Sequence, residues 1–172
     1  MEDFVLTVGG VPQKIRLDTS DSIQSPIALV IAIQTSGISS PELAKIRRVS
    51  GMFKPLVAGE RGQVAVVSFN SEIKVVQDFT TDAATVSDAV EKVGAYSVKT
   101  ARMIDAVSEG VRLLATKPEN YRRILLILGE SRDRGSKAKL DDVIEQAQRA
   151  GVLVYSGTYS VQASAFTARP ED

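Results

Sequence analysis

Pro26-Ile-Ala-Leu-Val-Ile-Ala-Ile-Gln-Thr-Ser-Gly37, written PIALVIAIQTSG, decides the fold. Ile27 to Ile33 is an almost unbroken apolar run, the pattern of a strand covered on both faces rather than on one. It breaks into a small, hydroxyl-rich turn, and Gln34 stands at the break. A metal held at such a strand end calls for a carboxylate there. Gln34 offers an amide.

Working outward, two more apolar runs read as buried strands, Gln63 to Phe69 and Arg123 to Leu128 (RILLIL). Asn70-Ser71 turns the first of them into Glu72 to Val76, an alternating segment suited to an antiparallel edge strand. Helical patterns separate the strands. Ser39-Ser40-Pro41-Glu42 is a helix start, with Ser40 as N-cap and Pro41 at the first helical position, followed by Leu43, Ile46 and Phe53 at helical spacing. Pro55 ends or kinks that helix. Asp82 is placed to cap a helix that carries Val86, Val90 and Val93 on one face. A further helix is expected from about Thr100 to Ala115, with Met103, Val107, Gly110 and Leu114 as its stripe. Leu140 to Ala150 is another, with Gly151 at its C-terminal cap. Val152 starts a last strand, extending to about Thr158.

At the N-terminus, Phe4 to Val8 and Gln13 to Leu17 flank Gly9-Gly10-Val11-Pro12 and read as a β-hairpin. Residues 1–25 are thus a hairpin and connector, residues 26–159 an α/β domain, and residues 160–172 a polar tail. Buried strands that alternate with amphipathic helices predict a doubly wound, mostly parallel sheet with one antiparallel edge strand and helices on both faces. Ligands of such sheets sit beyond the carboxyl ends of the strands. That rule brings Gln34 to Ser39, the residues around Thr100, and the charged loop Gly129 to Lys139 (GESRDRGSKAK) onto one rim.

Composition narrows the chemistry. The 172 residues contain no histidine and no cysteine. Ser-His-Asp and Cys-His mechanisms, HExxH zinc sites, thiolate metal sites and disulfides are therefore excluded. Basic and acidic residues balance at 21 each, which argues against a general polyanion binder. Tryptophan is absent and aromatics are 5%, so neither base stacking nor large aromatic hot spots are expected. No GxGxxG or Walker pattern occurs. Gly129-Glu130-Ser131-Arg132-Asp133 fails the GxSxG elbow at its last position. No apolar run approaches the ~18 residues of a spanning helix. Glu130 and Asp133 read as structural or solvated rather than as a catalytic pair. Arg47-Arg48 and Arg122-Arg123 read as ordinary surface.

The order of these motifs resembles a von Willebrand factor type A domain: an apolar strand ending in TSG, the VAVVSFN strand with its hairpin, then a strand followed by a charged loop. FVLTVGGVPQKI followed by PIALVIAIQTSG is similar, more narrowly, to the VWFA-related proteins of acidobacteria. The likeness runs from about Phe4 to Tyr159, and it implies a Rossmann-like fold. It also implies that the final helix and strand that usually close such a domain have no counterpart after Tyr159, with the N-terminal hairpin covering a sheet edge instead.

The family's hallmark is a metal-ion-dependent adhesion site, an Asp-x-Ser-x-Ser turn joined by a Thr and a later Asp, which usually holds magnesium. Carried over position by position, the first Asp falls on Gln34 and the first Ser on Ser36. The second Ser falls on Ile38, with Ser39 one residue late. The Thr falls on Ala101, with Thr100 one residue early, and the last Asp on Glu130. A hard divalent cation needs several oxygen ligands at short range, so the resemblance implies a degenerate, metal-free rim. The alternative is a weakened Mg or Ca site using Ser36, Thr100 and Glu130.

The resulting expectation is a non-catalytic protein-interaction module for adhesion or assembly. Gln34, Thr35, Ser36, Ile38, Ser39, Thr100, Ala101, Glu130, Arg132 and Arg134 form its partner-binding rim. Arg132, Arg134, Lys137 and Lys139 accumulate where acidic ligands are lost. An acidic side chain of a protein partner is thus expected to meet a guanidinium in place of a metal. A purely structural domain of a larger secreted protein and a histidine-free hydrolase remain as alternatives. A secreted or cell-envelope setting is implied by the resemblance, and no export signal stands in the sequence.

Overall fold

The computed structural model describes residues 5–13, 25–37, 43–47 and 62–158. The expected helix start at Ser40-Pro41, the position of Ile38 and Ser39, and the polar tail all lie outside the described residues. The strands are β1 (Leu6–Val8), β2 (Val11–Gln13), β3 (Ile27–Gln34), β4 (Gly62–Phe69), β5 (Ile73–Thr80), β6 (Arg122–Gly129) and β7 (Val152–Thr158). The helices are α1 (Ala83–Glu91), α2 (Met103–Ala115) and α3 (Leu140–Arg149), and residues 43–47 are also helical.

One five-stranded sheet carries the fold, in the order β5-β4-β3-β6-β7. β3 is its centre, parallel to β4 on one side and to β6 on the other, and β7 continues the parallel run. Only β5 is antiparallel, on the edge beside β4, and its register breaks twice. The double covering read from PIALVIAI is present. Ala28, Val30 and Ala32 pack with Leu114, Leu125 and Ala147 on the α2–α3 face. Leu29, Ile31 and Ile33 pack with Leu43, Ile46 and Val90 on the other. A strand buried on both faces leaves no polar position, and this one stays apolar until Gln34.

Three boundaries differ from expectation. α2 begins at Met103 rather than near Thr100, because Ala101 is held in an antiparallel bridge to Arg134 and cannot also be helical. β5 runs on to Thr80. The hairpin turns on Gly9-Gly10 alone, both at positive φ (59° and 81°), so β2 starts at Val11 and contains Pro12. Two successive left-handed residues are what a two-residue hairpin turn requires. β1 and β2 form a sheet of their own, and among the described residues they do not pair with an edge of the main sheet.

Arg123 also departs from an ordinary surface reading. It donates to the carbonyls of Ala150 (2.6 Å) and Lys117 (2.5 Å), fastening two loops at the end of the sheet opposite the rim. α2 lies close on β6 because Gly110 presents no side chain. A Cβ built there falls 2.7 Å from Leu125 Cδ1. Gly110→Val is expected to overpack this seam and cost about 1–3 kcal/mol of unfolding free energy, read by urea denaturation.

Candidate functional site

The rim is built at the carboxyl end of β3. Gln34, Thr35 and Ser36 are the buried polar residues of the described core, all with 1% exposure or less. Gln34 uses both ends of its amide. Its Nε2 donates to the Ser36 carbonyl (2.8 Å), and its Oε1 accepts the Glu130 N–H (2.9 Å). Thr35 faces β4. Its N–H donates to the Phe69 carbonyl, its hydroxyl donates to the same oxygen and accepts from Asn70 Nδ2, and its carbonyl accepts the Tyr96 N–H. The Ser36 hydroxyl is buried and makes no hydrogen bond. Gly37 follows in the left-handed region at φ 64°.

The second segment arrives through backbone pairing. Ala101, fully buried, donates its N–H to the Arg134 carbonyl (2.9 Å) and accepts the Arg134 N–H (2.8 Å). Thr100 sits at the outside of this pair with its methyl against Gly135. The third segment crosses over both. Arg134 Nη2 donates to Glu130 Oε2 at 2.5 Å, and a Cβ built on Gly37 would lie 3.2 Å from Glu130 Oε1 and 3.3 Å from Arg134 Nη2. A guanidinium and its carboxylate therefore rest on the turn after β3. The three segments expected to converge do so, with Arg134 touching all of them. Arg132 is exposed beside them.

Two carboxylates lock this loop to α2. Asp133 accepts the Ile104 N–H (3.1 Å) together with the Ser136 N–H and hydroxyl, so it serves a free amide of the helix N-terminus from outside the helix. Asp105 does the converse, accepting the N–H groups of Lys137 and Ala138 from inside the helix while Arg102 donates to it (2.7 Å). Burial disfavours the charge on Asp133, but the Ser136 hydroxyl and the Ile104 and Ser136 amides outweigh it and hold its carboxyl below the ordinary value. Asp105 is likewise held low, with the Ala138 and Lys137 amides and Arg102 outweighing burial. Sequence reasoning left Asp105, Asn70, Tyr96 and Ser136 out of the rim. For Asp105 a signal existed, an acidic residue in the first turn of a helix.

With this geometry in hand, the comparisons decide the family. The model of the von Willebrand factor type A domain matches residues 16–164. The chain belongs to that family. Among solved structures, BatB of Bacteroides thetaiotaomicron is similar with a TM-score of 0.60 at 16% identity, over 76% of this chain and 65% of that one. An aerotolerance-related membrane protein of Bacteroides fragilis gives 0.61 at 19% identity, over 76% and 66%. The vWF domain of the type V pili tip protein Mfa5 from Porphyromonas gingivalis gives 0.53 at 18%, over 64% of this chain and 39% of that domain's chain. The chain thus spans just under two thirds of the length of the first two. These identities speak for the fold alone. A comparison with the curated proteins found no match.

The lowered carboxyls have a stability consequence. A carboxylate whose folded pKa lies below its unfolded value contributes stability above the unfolded value, near 3.9 for Asp, and loses it as pH falls through the folded one. Asp133→Asn and Asp105→Asn are each expected to cost about 1.5–3 kcal/mol at neutral pH. In urea denaturation over a pH series, that difference from the unsubstituted chain should shrink as acid protonates the native carboxyl.

Proposed function

We propose that the domain is a non-catalytic protein-interaction module whose rim carries a fixed internal cation, the Arg134 guanidinium, in place of a bound metal. One observation carries this reading: Arg134, paired to Glu130 and seated over Gly37, stands where the three rim segments meet. The donors do not fit a divalent ion. Gln34 spends both its amide atoms on the backbone, Ala101 brings a methyl, and Glu130 is engaged with the guanidinium. Among the described residues, no three Asp or Glu side chains gather as a metal set.

Catalysis finds no support in the same groups. Asp105 and Asp133 are held ionised by backbone amides, so neither is poised to exchange a proton near neutral pH. Members of this family commonly bind protein partners. On this rim the chemistry favours an acidic side chain, taken by the exposed Arg132 together with the half-exposed outer side of Arg134. The names of the similar structures, a membrane protein and a pilus tip protein, support an envelope or surface setting. Among the described residues, no helix is long and apolar enough to cross a membrane.

The second reading, a weakened Mg or Ca site, draws on the unpartnered Ser36 hydroxyl with Thr100 and Glu130. It requires Glu130 to release Arg134. Titration calorimetry with MgCl2 and with CaCl2 separates the two, and no saturable heat is expected up to millimolar ion. An array of Asp- and Glu-bearing peptides then tests the interaction itself. Retention should survive EDTA, weaken with salt, and fall about tenfold or more in Arg132→Ala and Arg134→Lys, a loss of ~1.4 kcal/mol. Saturable metal binding, or peptide retention abolished by EDTA, would contradict the proposal.

A further inference from the structure

The two edges of the sheet are built differently. β5 is protected in the usual ways: its register with β4 breaks twice, and it carries Lys74 and Asp78. β7, Val-Leu-Val-Tyr-Ser-Gly-Thr, has no charge and no proline, and pairs with β6 at seven successive positions without a break. Among the described residues nothing pairs with its outer edge. Its apolar side chains are also open on both faces. Leu153 and Tyr155 are 54% and 56% exposed on one face, and Val154 is 43% exposed on the other. A flat, neutral, apolar edge is a template for another strand.

The α2–α3 face of this edge holds a groove of about 430 Å³, lined by Met103, Val107, Ile127, Val143, Val152 and Val154 among others. Beside it, α3 raises two apolar side chains, Leu140 at 56% exposure and Ile144 at 45%. We infer that β7 and this groove form a dimerisation surface, on which a second copy of this chain adds its own β7 antiparallel and extends the sheet across a twofold axis.

Three features favour a copy of the chain over a foreign strand. A twofold interface needs one patch to hold both knob and hole, and this patch holds the groove and the two side chains that would enter it. An axis through Tyr155, the midpoint of Val152–Thr158, sets Leu153 opposite Gly157 of the second copy and Val154 opposite Ser156, large against small. Charge agrees. α3 begins with Asp141 and Asp142 and ends with Arg149, and the twofold runs the two α3 helices antiparallel, bringing each acidic turn towards the other's Arg149. The inference is independent of the rim.

The absence of cysteine makes the test clean. Sedimentation of the full chain from low to high micromolar concentration is expected to show a monomer–dimer equilibrium. Tyr155→Cys should form a disulfide-linked dimer on mild oxidation, while Lys74→Cys on the other edge should not. Val154→Lys should raise the dimer Kd about tenfold or more with circular dichroism unchanged. If that variant fails to fold, Ile144→Lys on the helix surface should give the same weakening. A chain that stays monomeric throughout, as it would if a strand of another polypeptide fills this edge, overturns the inference. So does a dimer that cross-links through Lys74→Cys and not through Tyr155→Cys.

Discussion

A fully buried amide fixes where everything at the rim can go. Gln34 ends a strand covered on both faces, and an unmet amide in that position costs about 1–3 kcal/mol for each orphaned group. It is fully met, by the Ser36 carbonyl on its own turn and by the Glu130 N–H at the end of the neighbouring strand. The second bond ties β3 to the loop after β6, although 96 positions separate the two residues. It also dictates Gly129. A Cβ there would lie 2.7 Å from Gln34 Oε1, so the strand can approach the amide only without a side chain. With β3 and β6 joined at their ends, the loop that follows must rise directly over Gly37.

That placement brings Arg134 and Glu130 together, and the remaining charges of the loop serve the same fixation. Asp133 reaches into the start of α2 while Asp105 reaches back out of it. The two carboxylates act as reciprocal clamps between a loop and a helix N-terminus that would otherwise leave amides without partners. A rim held by so many internal bonds is preorganised, so a partner meets a surface whose side chains have already lost much of their freedom. Under the proposed reading, the permanent guanidinium removes any dependence on the supply of metal.

The legible and the illegible parts of the sequence divide along physical lines. Double covering wrote itself into PIALVIAI, RILLIL and VAVVSF as unbroken apolar runs, so the central strands and the parallel sheet could be read directly. Asp82 caps α1 as its position implied, accepting the N–H groups of Ala84 and Thr85. The start of α2 could not be read, because Thr100 to Arg102 fit a helical pattern locally and only a bridge to Arg134, far along the chain, pulls them out of it. At the rim, the substitution of Gln for a carboxylate was visible. The destination of its two hydrogen bonds was not, since both depend on how strand ends meet in space. The loop GESRDRGSKAK looked like a solvated basic run. Its acidic members turned out to be its anchors, and one of its arginines lies inside the rim rather than above it.

The central claim is that Arg134 fills the cation position. A crystal of the full chain soaked in excess MnCl2, with anomalous data collected near the manganese edge, tests it most directly. The account predicts no anomalous peak at the rim and an intact Arg134–Glu130 pair over Gly37. An octahedral manganese between the Ser36 hydroxyl and the Glu130 carboxylate, with the guanidinium swung away, would contradict it.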